Sequence, residues 1–200
     1  MTDERLVLAS ASPRRRELLA ELRVAFEVQP CPLREPEEKP ADLPPSSWAE
    51  ALAHFKARAV AKQFPDRWVL GADTVVVCAG EVLGKPRDIE DARRMLELQA
   101  GRATEVITGV CLARRVEHVY RIMEHEVTEV WMRDAPRERE VYLASGDWEG
   151  KAGAYGIQNV GDQLVERVAG DFSNVVGLPL ALVRRMLRLA DAVPVRREDA

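Results

Sequence analysis

The 200-residue chain has few cysteines and no long apolar run, and each absence excludes a class of protein. Its three cysteines, Cys31, Cys78 and Cys111, are widely spaced, which excludes a C-x-x-C zinc or redox motif and is typical of free thiols in a reducing compartment. No apolar run approaches the roughly 20 residues that cross a bilayer, and the N-terminus lacks the apolar core of a signal peptide. The sequence therefore predicts a cytoplasmic protein with no membrane partner.

An excess of basic residues is also missing. The chain has 29 Lys and Arg against 33 Asp and Glu, and its formal net charge of −4 argues against a nucleic-acid partner. A composition of 46% hydrophobic and 31% charged residues is typical of a globular protein, and this length is enough for one well-buried domain. We expect a single domain over residues 1–200 with a flexible tail at 192–200. Any anionic ligand would need a local basic cluster, a metal ion or both.

Two common catalytic motifs do not occur. There is no G-x-S-x-G elbow, which argues against a Ser-His-Asp hydrolase, and no G-x-x-x-x-G-K-[ST] phosphate loop. The three histidines, at positions 54, 118 and 125, lack metal-ligand spacing. None of them has a convincing serine or cysteine nucleophile beside it in the sequence.

The most informative stretch is residues 5–19 (RLVLASASPRRRELL). A short apolar strand ends in two serines, and a proline then opens a helix for which Ser12 is a suitable N-cap. Arg14, Arg15 and Arg16 follow in the first turn, where the helix dipole disfavours cations, so they indicate a missing anion. Helical periodicity directs Arg14 and Arg15 towards the sheet and Arg16 towards solvent. A strand, a serine-rich turn and a helix N-terminus together form a place for phosphate.

The rest of the chain predicts a mixed α/β domain. Hydrophobic periodicity predicts helices over residues 13–22, 48–63, 89–100, 136–143 and 179–190, and strands over 6–9, 26–28, 68–77, 82–83, 103–112, 119–130 and 164–168. The last two long strands favour an antiparallel pair. Ser46 or Ser47 is expected to cap the second helix, after a proline-rich loop at 30–46. The glycine-rich stretch 150–161 is predicted to be a shaped loop.

Asp73 is the sharpest candidate for chemistry. It lies within the apolar run 68–77 (WVLGADTVVV), which is typical of a central strand covered on both faces. A buried carboxylate costs several kcal/mol unless it is paired or metal-bound. It could bond to backbone or to an arginine, or it could serve as a metal ligand or general base, with Gly71 and Ala72 allowing a close approach.

Further polar residues each allow two interpretations. Lys85, in a turn between Gly and Pro, is either solvated or binds phosphate. Lys56 lies on the buried side of its helix, where its stem could snorkel or its ammonium could contact phosphate. The loop acids Glu35, Glu37 and Glu38 are either solvated or available to a metal ion, which needs only one or two carboxylates beside a polyphosphate.

Gln158 lies in the glycine-rich loop and carries an amide donor and an amide acceptor. Such an amide could pair with the O4 acceptor and the N3–H donor of uracil or thymine. It could also simply hold the loop in shape, and the sequence pattern alone favours that role.

Five strings resemble the Maf family of nucleoside triphosphate pyrophosphatases. They are LASASPRR (8–15), GADTVVV (71–77), LGKP (83–86), KAGAYGIQ (151–158) and SNVVGLPL (173–180), in order and over almost the whole chain. The chain departs from the family pattern at Arg34 and Gly150, where Asp is usual. The resemblance implies an inosine triphosphate pyrophosphatase-like α/β fold, with an elongated mixed β-sheet flanked by helices and two lobes around a cleft.

The resemblance also implies a reaction. The family hydrolyses nucleoside triphosphates between the α and β phosphates with Mg²⁺ or Mn²⁺, and the subgroup that this chain resembles acts on dTTP and UTP. Modified pyrimidine nucleotides are further possible substrates, in a house-cleaning or division-linked role. A homodimer is compatible with the family. The alternative is a septum-formation regulatory protein that acts by binding, with hydrolysis incidental.

The resemblance assigns roles residue by residue. Asp73 is implied as the catalytic residue and, with Glu35, as a metal ligand. The implied phosphate-binding residues are Ser10, Arg14, Arg15, Lys56 and Lys85, and the implied specificity residues are Arg14, Thr74 and Gln158.

Overall fold

Seven strands, six α-helices and one short 3₁₀ helix (Ala152–Ala154) occur in the residues that the computed structural model describes, which are 5–36, 39–115, 119–157 and 163–191. The helices are α1 (Pro13–Glu21), α2 (Pro45–Ala61), α3 (Ile89–Gln99), α4 (Pro136–Ser145), α5 (Phe172–Val176) and α6 (Leu180–Asp191). The strands are β1 (Leu6–Leu8), β2 (Phe26–Val28), β3 (Val69–Cys78), β4 (Glu81–Leu83), β5 (Ala103–Arg115), β6 (Val119–Met132) and β7 (Val165–Ala169). All strands join one mixed sheet, which confirms the α/β prediction.

The sheet has a gap on one side of β3. The strand order is β2-β1-β3-β5-β6-β7, with β1 parallel to β2 and to β3, and the remaining pairs antiparallel. β1 pairs with the start of β3 (Leu8 with Leu70), whereas β4 pairs with its end (Val76 with Leu83). Within the described ranges, residues 71–75 have no strand neighbour on that side, and we call this gap the notch. The notch begins where the pairing of β1 with β3 ends, at Leu8.

Alternate residues of β3 point to opposite faces of the sheet. Val69 and Val75 pack in clusters with residues of α2, whereas Leu70 and Val76 belong to the main core on the other face. By this alternation Asp73 faces α2 and the next residue faces the main core. The strand is covered on both faces, as the sequence predicts.

Two glycines let α2 lie directly on the sheet. A Cβ atom at Gly71 would lie 2.2 Å from the carbonyl oxygen of Ala53, and one at Gly109 would lie 2.3 Å from the carbonyl carbon of Ala49. Neither distance is sterically possible, so glycine is required at both positions. This close approach brings Lys56, on the buried side of α2, to the notch.

Several boundaries differ from the predictions. Ser46 and Ser47 do not cap α2, because the helix begins earlier, at Pro45, whose missing N–H needs no partner in the first turn. β5 and β6 each extend beyond their predicted ends. The sequence patterns also missed α5, a single turn capped by the Asp171 side chain.

The single domain stays a prediction, and the predicted tail (192–200) lies outside the described residues. None of the described helices is long and apolar enough to span a membrane.

Candidate active site

A cavity of about 540 Å³ opens at the notch. Its lining contains every predicted site residue that the structure describes, which are Ser10, Arg14, Arg15, Glu35, Lys56, Asp73, Thr74 and Lys85. They come from the β1–α1 turn, the first turn of α1, the loop before α2, α2 itself, β3 and the turn after β4, so only the fold brings them together. The predicted specificity residue Gln158 and the loop acids Glu37 and Glu38 lie outside the described residues.

Lys56 joins two carboxylates at the notch. Its Nζ donates to Asp73 Oδ1 at 2.5 Å and lies 3.0 Å from Glu35 Oε2. Lys56 is 4% exposed and Asp73 6%, so each buried charge has the opposite charge beside it, as burial requires. The partner of Asp73 is thus a lysine, which the sequence reading did not consider for it. We call Glu35, Lys56 and Asp73 the carboxylate–lysine cluster.

The electrostatics of this cluster favour ionised Glu35. Partial burial alone would raise the pKa of Glu35, but the Lys56 ammonium lowers it by charge and by hydrogen bonding, with Lys85 and Arg15 adding to the effect. The net result is a pKa below the ordinary value of 4.5. Glu35 therefore carries its charge throughout the neutral range. The exposed side chain of Lys85 contributes from the cavity rim.

Arg15 reaches the notch from the opposite face of the sheet. Its Nε donates to the carbonyl of Gly177 at 2.8 Å, and its Nη2 donates to Thr74 Oγ1 at 3.1 Å. The Thr74 hydroxyl in turn lies 2.9 Å from Thr108 Oγ1. Burial lowers the pKa of Arg15, although the carboxylates of Asp73 and Glu35 oppose this shift. Uncharged acceptors therefore fix the direction of this guanidinium.

The turn into α1 matches its prediction. Ser12 caps the helix by accepting from the backbone N–H of Arg15 at 3.4 Å, and Ser10 accepts from the N–H of Ser12 at 3.2 Å. Arg14 and Arg15 are partly buried in the cavity wall, whereas Arg16 is exposed. The predicted division of the three arginines is confirmed.

Two further cations, Arg14 and Lys151, line the cavity near each other, and the sequence patterns did not single out Lys151. A Cβ atom at Gly156 would lie 2.8 Å from Lys151 Cε and 3.3 Å from Arg14 Nη1, so both side chains pass this glycine. Burial lowers the pKa of both cations, and Arg14 lowers that of Lys151 further. Tyr142 accepts from the N–H of Gly156 at 3.0 Å, and burial raises its pKa to about 12. Lys151 opens the string KAGAYGIQ, which is the signal that could have identified it.

The loop that carries Lys151 is tied to the turn that carries Lys85. Gln99 is fully buried at the end of α3, and its Nε2 donates to the carbonyl of Gly153 at 2.7 Å. The N–H of Gly153 donates to the carbonyl of Gly84 at 2.9 Å. These bonds join the backbone near Lys151 to the backbone near Lys85. They therefore fix the position of one lysine-bearing segment relative to the other.

Carboxylates alone do not build a metal site here. Among the residues that the structure describes, no group of three or more His, Cys, Asp or Glu side chains could hold a metal ion. Glu35 and Asp73 are the two acids that share one cation, Lys56. An ion bound there would take its remaining ligands from water or substrate.

Known proteins are similar to this chain in sequence over most of its length. The chain is 46% identical over 187 residues to a protein of Koribacter versatilis named dTTP/UTP pyrophosphatase, covering 92% of this chain and 94% of that protein. It is 50% identical over 189 residues to a protein of the same name from Anaeromyxobacter sp., covering 93% and 89%.

The fold is also known. A HAM1 protein from Coxiella burnetii superposes with a TM-score of 0.56 at 18% identity, covering 94% of this chain and 100% of that chain, and this likeness confirms the inosine triphosphate pyrophosphatase-like fold. The family model described as "Maf-like protein" matches residues 5–190. The chain belongs to the Maf family.

Proposed function

We propose that the protein is a nucleoside triphosphate pyrophosphatase that hydrolyses dTTP and UTP to the nucleoside monophosphate and pyrophosphate. The observation that carries this proposal is the meeting of a buried carboxylate, Asp73, with several cations in one cavity of about 540 Å³. The dTTP/UTP pyrophosphatases named above, at 46% and 50% identity, support the pyrimidine substrates.

The charge of the cavity suits a triphosphate. Its lining contains five cations, Arg14, Arg15, Lys56, Lys85 and Lys151, and three carboxylates, Glu35, Asp73 and Glu149. The cavity is therefore positive although the whole chain has a formal charge of −4. Fixed cations aimed at phosphate oxygens stabilise the charge that develops in the transition state, which is usually the largest catalytic term.

Asp73 supplies the base. Lys56 holds its Oδ1 at 2.5 Å, so the carboxylate has a fixed orientation and its Oδ2 is the oxygen that would accept the proton of an attacking water. The water attacks the α-phosphorus in line with the bond to the bridging oxygen. That bond breaks, and pyrophosphate leaves with the bridging oxygen. Arg15 neutralises the phosphates, and its two fixed hydrogen bonds on the other face of β3 support this role.

We also propose that Glu35 and Asp73 hold a divalent cation, Mg²⁺ or Mn²⁺. The donor set fits because carboxylate oxygens are the ligands these ions prefer, and both acids already share one cation in Lys56. When bound, such an ion neutralises phosphate charge and orients the substrate.

Base selection is assigned to Arg14, Thr74 and Gln158. The first two line the cavity, which supports contact with a substrate there. A homodimer, a cytoplasmic location and a division-linked role stay predictions.

A pyrophosphate-release assay over a panel of nucleotides tests the function. We expect release from dTTP and UTP in the presence of Mg²⁺ or Mn²⁺, with the monophosphate as the other product, and loss of release on adding EDTA. Release from purine nucleotides at the same rate would contradict the base assignment. No release from any nucleotide would favour the alternative, a regulatory protein that acts by binding.

A further inference from the structure

Thr108 places a hydroxyl group among the apolar residues on one face of β5. On β5, the residues that share its face include Val106, Val110 and Leu112, which all pack in the main core. Thr108 is fully buried and does not line the cavity. A valine has almost the same shape and would avoid burying a polar group, which costs free energy unless that group is bonded.

The hydroxyl of Thr108 belongs to a chain of hydrogen bonds that ends on Arg15. The chain runs from Arg15 Nη2 to Thr74 Oγ1 (3.1 Å), from there to Thr108 Oγ1 (2.9 Å), and on to the carbonyl of Asn174 (3.2 Å). A guanidinium only donates and a carbonyl only accepts. All three bonds therefore form together in one direction, with Thr74 donating to Thr108 and Thr108 donating to Asn174.

The second bond of Arg15 leads to the same anchor. Its Nε donates to the carbonyl of Gly177, whose own N–H donates to the carbonyl of Asn174 at 3.0 Å. The Asn174 side chain is fully buried, and its Nδ2 donates to the carbonyl of Val106 at 2.9 Å and to Thr128 Oγ1 at 3.0 Å. Both arms that orient the guanidinium thus start from one residue fixed in the core.

We propose that Thr108 is a positioning residue, which sets the plane of the Arg15 guanidinium in the cleft through the hydroxyl of Thr74. This inference rests on the proposed function, because it concerns the turnover of the same site. A planar fork must be aimed to bind two phosphate oxygens at once, so its orientation matters as much as its charge. Thr108 touches no substrate and acts through Thr74 alone.

Two substitutions at this position separate the hydroxyl from the shape. Thr108→Val keeps the branched shape and removes the hydroxyl, whereas Thr108→Ser keeps the hydroxyl and removes a methyl group. We expect kcat/KM for dTTP to fall about tenfold in Thr108→Val, which is about 1.4 kcal/mol, and to stay within about threefold of the parent in Thr108→Ser. Melting temperatures measured in parallel show whether each variant folds. Equal activity of Thr108→Val and the parent, or equal losses in both variants, would overturn the proposal.

A double-mutant cycle tests whether the effect passes through Arg15. In the Arg15→Lys background the fork is already lost, so Thr108→Val should cause no further loss of kcat/KM. An undiminished tenfold loss in that background would show that Thr108 acts on packing instead.

A measurement without turnover separates this inference from the proposed function. The Nη–H signals of Arg15 in ¹⁵N NMR, which include the hydrogen bond from Nη2 to Thr74, should exchange with water faster in Thr108→Val than in the parent, and at the parent rate in Thr108→Ser. Unchanged exchange in Thr108→Val would refute the positioning role even if the parent enzyme releases pyrophosphate. Absence of any release by the parent would refute the function and leave the exchange result to decide the positioning role.

Discussion

The two faces of β3 hold their cations at the notch in opposite ways. On the face that packs against α2, the Lys56 ammonium lies 2.5 Å from Asp73 and 3.0 Å from Glu35. On the other face, the Arg15 guanidinium donates to a carbonyl, that of Gly177, and to a hydroxyl, that of Thr74. One face holds a compensated charge, and on the other the hydrogen-bond partners of the cation carry no charge.

This difference indicates which cations stabilise the fold and which are available to an anion. Burial lowers the pKa of Arg15 and of Arg14, because a buried cation loses hydration that neutral acceptors only partly replace. A phosphate group would supply the missing negative charge. We therefore expect substitutions in the carboxylate–lysine cluster to alter stability and its pH dependence as well as turnover. Substitutions around Arg15 should alter turnover mainly.

The largest expected effect is that of Asp73→Asn. Asparagine has the same shape and can still accept a bond from Lys56, but it cannot take a proton. We expect kcat for pyrophosphate release to fall by about 10³-fold or more, since a general base typically contributes about 10²- to 10⁴-fold. Asp91 provides a matched control. Like Asp73 it is buried and paired with a cation, which is an arginine in its case, but it lies outside the cavity. Asp91→Asn should keep the turnover of the parent. Near-normal activity of Asp73→Asn would contradict the assignment of Asp73 as the general base.

The next largest effect should come from Lys56→Met, which breaks the compensation on the α2 face. Methionine fills the space of the lysine stem, but it removes the cation that contacts both Asp73 and Glu35, and only the more distant Arg15 and Lys85 remain to offset their charge. Removing one partner of a buried pair typically costs about 3 kcal/mol or more, so urea denaturation at neutral pH should show a loss of that size. The loss should shrink at acid pH, because protonation removes the repulsion. A loss that is the same at both pH values would contradict the compensation.

Local patterns predicted much of this site. The helical periodicity of residues 13–22 separated Arg16 from its two neighbours, and the burial of Lys56 followed from its place on the helix face. Asp73 stood out because a carboxylate in an apolar strand needs a partner. Most helices and strands were equally visible, since each carries its own period of apolar residues.

What the patterns missed depends on contacts between distant residues. Lys56 pairs with Asp73 because Gly71 and Gly109 let α2 approach the sheet, and periodicity cannot show a distance between two elements. In the sequence, Thr108 looks like any other β-branched residue of a strand. The role of its hydroxyl follows only from its hydrogen bond to Thr74 on the neighbouring strand. The short helix α5 is too brief to show a period, although it anchors the guanidinium.

A smaller effect is expected from Arg15→Lys, which tests the other face. Lysine keeps the positive charge but loses the planar fork and its two fixed bonds. We expect kcat/KM to fall about 10- to 100-fold with little change in melting temperature. The matched control is Arg16→Lys, since Arg16 is the exposed neighbour in the same helical turn. A fall in stability like that of Lys56→Met would show that both faces serve the fold in the same way.

The smallest effect is a pH dependence confined to the α2 face, visible in Glu35→Gln. The pKa of Glu35 is lower in the folded protein than its ordinary value of 4.5, so its charge contributes stability that is fully present above that value and is lost as the pH falls through the folded pKa. Because the side chain is 36% exposed, the ion pair should contribute at most about 1 kcal/mol, or about 2–4 °C in melting temperature. The gap in melting temperature between the parent and Glu35→Gln should therefore be constant in the neutral range and close in acid. The hydrogen-bond partners of Arg15 do not titrate, so the ratio of turnover between the parent and Arg15→Lys, measured with saturating dTTP from neutral to acid pH, should not close in acid. A Glu35→Gln gap that persists in acid would mean that the carboxylate acts by shape, and the contrast between the two faces would then rest on Lys56 and Asp73 alone.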